Sequence, residues 1–179
     1  EQTELLGKGY TLLYANEKDA ALAEFEARIQ AGDVKGLSLA KAALFAGNIK
    51  YEKADYDGAI ALFQKSIDNA GDVALGRSAA IHGRAAAKME QGGLCAAAKL
   101  LEDFVSEFGK RTGDKEDRFQ KEEPLDETPL VPDAMWKLVL LHNELGSKNK
   151  AKNVAERIIE VYGDNTQYAD KAKKFLASI

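Results

Sequence analysis

Ala21 and Phe25 in KDAALAEFEARI, Ala59 and Phe63 in DGAIALFQKSI, and Ala97 and Leu101 in CAAAKLLEDFV share one spacing, and each pair lies 38 residues after the one before. A small residue followed four positions later by a large apolar one places both on one side of a helix. Two helices meet closely at the first and interlock at the second. A single hairpin cannot bury all its apolar faces, so a pattern that recurs at a fixed interval of this length describes units that stack on their neighbours. The chain is therefore expected to be all-α, built from antiparallel helix hairpins.

The stretch GNIKYEKADYDGAIALFQKSI, residues 47–67, shows one such hairpin most fully. Asp55 stands where a helix cap would stand, and Ala59, Ile60, Phe63, Ser66 and Ile67 follow at the three-and-four spacing of one helix face. Residues 40–53 form a second helical pattern, separated from the first by Ala54-Asp55. Upstream of each recurring pair lies a glycine, Gly7, Gly47 and Gly83, where a Cβ is expected to obstruct the neighbouring helix. A fourth copy lies in WKLVLLHNELGSKNKAKNVAERII, with Gly146 at the turn and Ala151 as the small residue, and TQYADKAKKFLASI reads as a closing helix. The expected organisation is one domain over 1–179, with repeats at about 3–33, 39–70, 76–108 and 133–162 and a capping helix over 166–179. Between the third and fourth repeats, residues 109–132 hold every proline of the chain among dense charges and read as an inserted loop, with Pro132-Asp133 ending it and capping the next helix.

Leu6-Gly7 followed by Tyr10, Gly47 with Asp55-Tyr56, Ala59 and Phe63, and Gln91-Gly92 with Ala97 resemble the tetratricopeptide repeat (TPR) family. The resemblance implies a right-handed α-solenoid of about four repeats whose first helices line a concave, peptide-binding groove. The period departs from the usual 34 residues of that family, and no proline closes a repeat. The final segment, VYGDNTQYADKAKKFLASI, is also similar to the ends of membrane-anchored envelope TPR proteins such as the ancillary Sec translocon subunit. That likeness, with a start that lacks Met, favours a periplasmic or envelope location through an absent N-terminal anchor over a cytoplasmic one.

Composition excludes several functions. With 45% hydrophobic and 30% charged residues and 3 prolines, the chain is globular rather than disordered. A net charge of −4 leaves no surplus of Lys and Arg for general nucleic-acid binding. Cys95 is the only cysteine, which removes an intramolecular disulfide, a redox pair and a cysteine zinc site, and it reads as a small buried residue beside Ala96, Ala97 and Ala98. His82 and His142 lie in different repeats without metal-spaced partners or a neighbouring nucleophile. Carboxylate pairs such as Asp55 with Asp57 fall at turns, and the glycine runs lack phosphate-loop spacing. No catalytic residue, metal or cofactor is expected.

What remains is surface. The resemblance places Lys41, Leu44, Asn48 and Tyr51 along the groove. On the following helix Arg77, Ala80, Arg84 and Lys88 share one face and form a basic strip beside it, suited to an acidic or C-terminal segment of a protein partner. The family's clamp for a terminal carboxylate needs Lys four residues before the Asn, where Leu44 stands. The expected function is thus a non-catalytic binding scaffold, with an oligomerisation module pairing chains through Leu12, Leu13 and Tyr14 as the alternative.

Overall fold

The computed structural model describes residues 2–71, 74–109 and 129–179. Every element among them is helical, and the chain divides into two compact units, Glu1–Gln91 and Gly92–Ile179. The first unit holds α1 (Gln2–Leu5), α2 (Gly7–Tyr14), α3 (Lys18–Ala31), α4 (Gly36–Glu52), α5 (Tyr56–Asn69) and α6 (Ala74–Glu90). The second holds α7 (Leu94–Phe108), α8 (Val131–Glu144), α9 (Lys148–Tyr162) and α10 (Thr166–Ala177). Neighbours pack in sequence order within each unit, and in addition α4 reaches α6 and α10 reaches α8. The division falls at the turn of the expected third hairpin. Its first helix, α6, packs with α5 and α4, and its second, α7, packs with α8.

The turns share one left-handed residue. Asn16, Ala54, Gly92 and Gly146 adopt φ of 60°, 59°, 75° and 76°, and each stands five residues before the recurring small residue. A left-handed residue after a helix lets its own N–H and that of the next residue cap the last carbonyls. Ala54 N–H reaches Tyr51 O and Asp55 N–H reaches Lys50 O, both at 2.9 Å. The same pair of bonds recurs from Asn16 and Glu17 and from Gly146 and Ser147. Asp55 then caps α5 as expected, its carboxylate accepting the Gly58 N–H at 3.0 Å.

The recurring pairs are core residues. Ala21, Phe25, Ala59, Phe63, Ala97 and Leu101 are each at most 1% exposed. Phe63 of α5 lies between two glycines: a Cβ on Gly47 of α4 would come within 2.8 Å of its ring, and one on Gly83 of α6 within 2.7 Å. Gly7 has open space at its Cβ position, so the expectation for that glycine is corrected to Gly9, where a Cβ would meet the Phe25 ring at 2.5 Å. Gly9 and Gly47 each precede the small residue of the next helix by 12 positions, and the residue with that interval before Ala97 is Ala85, not Gly83.

In the second unit Gly146 and Ala151 occupy the turn and close-contact positions expected of them, and α10 caps the unit through buried Ala169 and Ala172. The helix expected to be capped by Asp133 begins at Val131. Pro132 stands in its first turn, where the missing N–H loses no helical bond. Most of the expected inserted loop, 109–132, lies outside the described residues. Cys95 is exposed rather than buried, because Ala97 and Ala98 take the inner side of α7.

Candidate functional site

α4 buries Ala40, Ala42, Ala43, Ala46, Gly47 and Ile49, and the opposite stripe faces outward. On that stripe Lys41 and Asn48 are exposed, Leu37 is 48% exposed, and Leu44 and Tyr51 are half-buried. Tyr51 packs edge-on against Tyr56, with ring centroids 5.5 Å apart, and its hydroxyl lies 3.4 Å from Glu90 Oε1 at the end of α6. Burial, reinforced by the Glu90 carboxylate, pushes the Tyr51 hydroxyl above its ordinary pKa, so it stays a neutral donor. The structure therefore brings Lys41, Asn48 and Tyr51 together on one accessible side of α4.

The expected basic strip lies elsewhere. α6 turns Ser78, Ala80, Ile81, Ala85 and Ala87 inward, and Arg77, Arg84 and Lys88 fall on this same side, each half-buried. Arg84 Nη1 donates to Gln64 Oε1 of α5 at 2.6 Å, and its Nε is buried without a hydrogen-bond partner. Arg77 Nη1 donates to the Ile67 carbonyl at the end of α5, at 3.4 Å. Ala80, placed on the strip by sequence, is fully buried. The error has a geometric cause. Taking Gly83 as the counterpart of Gly47 offsets the register by two residues, and two residues turn a helix by about 200°.

With Ala85 as the counterpart, the positions matching Lys41, Leu44, Asn48 and Tyr51 one period later are Ala79, His82, Ala86 and Met89, all half-buried. Sequence reasoning missed these four, although the constant 12-residue interval to the next small residue carries the signal. In the second unit the matching positions on α8 include Trp136, Leu140 and Asn143. Part of that face is covered by α10: Lys171 Nζ lies 6.0 Å from the Trp136 ring and 5.1 Å from the Tyr168 ring, and the Tyr168 hydroxyl donates to Asp133 at 2.9 Å. Leu140 remains 44% exposed and Asn143 is exposed.

His142 is buried on α8, with Nε2 3.1 Å from Glu102 Oε1 of α7. Burial holds its pKa below the ordinary histidine value, and Lys150 adds to this while Glu102 opposes it. An open depression of about 320 Å³ lies over the turn Gly146–Lys150 and shares no residue with the α4 stripe. Among the described residues no cluster of three or more His, Cys, Asp or Glu is placed to hold a metal, and no helix is long and apolar enough to cross a membrane. No family model matches the sequence, and no curated protein matches it significantly.

Proposed function

We propose that this chain is a non-catalytic scaffold that binds a segment of another protein along the outward face of α4 and its register counterparts on α6. The observation that carries this reading is the α4 stripe itself: an exposed amide, Asn48, flanked by half-buried Leu44 and Tyr51. Such a face offers an amide able to pair with a peptide backbone, between two apolar contacts. The repeated turns and the 38-residue register support a TPR-like right-handed α-solenoid as the frame. With Arg77 and Arg84 engaged by α5, the strip no longer argues for an acidic ligand. The counterparts His82, Ala86 and Met89 argue for a segment that presents an apolar side chain.

A photo-crosslinking residue at position 48 tests the proposal in extracts of the source cell. Position 48 should capture a partner that Lys65, exposed on α5, does not, and Tyr51→Ala should lower the yield. Equal capture from both positions would sink it. A second reading, self-association through α2, draws on Tyr14, which is 90% exposed beside half-buried Leu12 and Leu13. A monomeric mass by light scattering at high concentration removes that reading. The likeness of residues 161–179 to envelope TPR proteins supports an envelope location, which fractionation of the source cell checks.

A further inference from the structure

Between α7 and α8 lie 22 residues of sequence, 109–130. Within the second unit α7 packs against α8, and its Leu101, Phe104, Val105 and Phe108 are buried. Into this interface α8 places His142, 4% exposed, with Nε2 donating to Glu102 Oε1 at 3.1 Å. We propose that His142 and Glu102 form a pH-responsive latch, in which protonation of His142 lowers the resistance of α7 to lifting off α8.

The sign follows from how unequally the two partners meet water. The Glu102 side chain is 40% exposed, so its attraction for a charged imidazole is screened by solvent. His142 itself is almost wholly removed from water, and a charge there loses its hydration without screening. Among the described residues, Lys150 of α9 also acts on it and repels an imidazolium. The α10 contacts fall nearer the other end of α8, at Asp133 and Trp136, and Glu144 on α8 is exposed. Burial thus outweighs Glu102 and keeps His142 neutral to lower pH than a free histidine.

When α7 lifts, the imidazole returns to water and to its ordinary value of 6.5. A group whose closed-state pKa is depressed contributes its full stability above the open-state value and loses it as pH falls. Closure therefore weakens below pH 6.5, by up to about tenfold per pH unit, until His142 protonates in the closed form as well. The buried apolar residues of α7 keep it docked throughout, so the latch sets how often α7 opens.

Two measurements on the full chain test this. The imidazole of His142, followed by NMR against that of His82, should titrate below 6.5. Amide-exchange protection in α7, corrected for intrinsic rates and referenced to α5, should fall by up to about fivefold between pH 6.5 and 5.5. His142→Gln should flatten that dependence, and Glu102→Gln, by removing the favourable carboxylate, should move the His142 titration lower still. Titration of His142 at or above 6.5 overturns the latch, as does unchanged α7 protection across the range. The NMR result stands even if His142→Gln does not fold.

Discussion

Replacing Gly83 by alanine pits two effects of opposite sign against each other. Alanine favours a helix interior over glycine by about 1 kcal/mol. Against this, the new Cβ would lie 2.7 Å from Phe63 Cζ and 2.9 and 3.0 Å from the two Cε atoms, well inside contact. The ring cannot retreat. It is 1% exposed, and the α4 backbone at Gly47 approaches it so closely that a Cβ there would also come within 2.8 Å. Overpacking of a filled core costs about 1–3 kcal/mol, so Gly83→Ala should destabilise by up to about 2 kcal/mol net. Gly76→Ala supplies the control on the same helix, because nothing lies within 4 Å of its Cβ position and only the propensity gain remains. Urea denaturation followed by circular dichroism should move the two midpoints in opposite directions. Combining Gly83→Ala with Phe63→Leu should recover part of the loss, as a favourable coupling in a double-mutant cycle. If Gly83→Ala is as stable as Gly76→Ala, Phe63 is not confined between α4 and α6, and the packing argument fails.

Ala54 holds φ of 59°, a conformation that strains any side chain by about 1–2 kcal/mol. Ala54→Gly should therefore raise the denaturation midpoint despite the added flexibility of the unfolded chain, and an unchanged or lower midpoint would contradict the turn assignment. Changing Arg77, Arg84 and Lys88 together to Glu should lower stability, because Arg84 loses its bond to Gln64 and carboxylates enter a half-buried face; a variant with the parent's melting curve would return the strip to the surface. Asp55 is held below the usual carboxylate range by Lys50 and then by the Gly58 N–H, so its contribution is present above the ordinary value of 3.8 and lost as pH falls below it. Asp55→Asn should remove that part of the acid dependence, read as a smaller shift of midpoint between pH 5 and pH 3.

The hairpins within each unit were legible because small and large residues recur at helical spacing and because Asp55 and Gly146 mark turns in ways a sequence states directly. Helix rotation was less legible. Two glycines, Gly47 and Gly83, both flank Phe63, but only Gly47 lies 12 residues before its small partner. The pairing looks equivalent in sequence, while the inward side of α6 is set by Ala80, Ile81, Ala85 and Ala87, where a single large residue among alanines carries little periodic contrast. Cys95 was misread for a related reason: four successive small residues, Cys95 to Ala98, cannot show which of them faces the core.

The spacing itself has a mechanical origin. One period consists of the 17 residues of α4, a three-residue turn, the 14 residues of α5 and the four that lead to Ala74. Within it two distances hold throughout: 5 residues from the left-handed turn residue to the small residue, and 12 to that residue from the small or apolar one of the preceding helix. Both persist in the fourth copy, as Gly146 to Ala151 and Val139 to Ala151, although that copy follows the third by 54 residues instead of 38. Within a unit, the left-handed residue fixes the angle at which the chain leaves one helix, and about one and a half turns later the small residue must meet the helix just left. Any change in this short path misaligns the close contact, whereas residues added before the first helix of a copy alter nothing downstream of it. Length variation is therefore confined to the connection before α8, and the distances that the turn and the contact fix together do not vary.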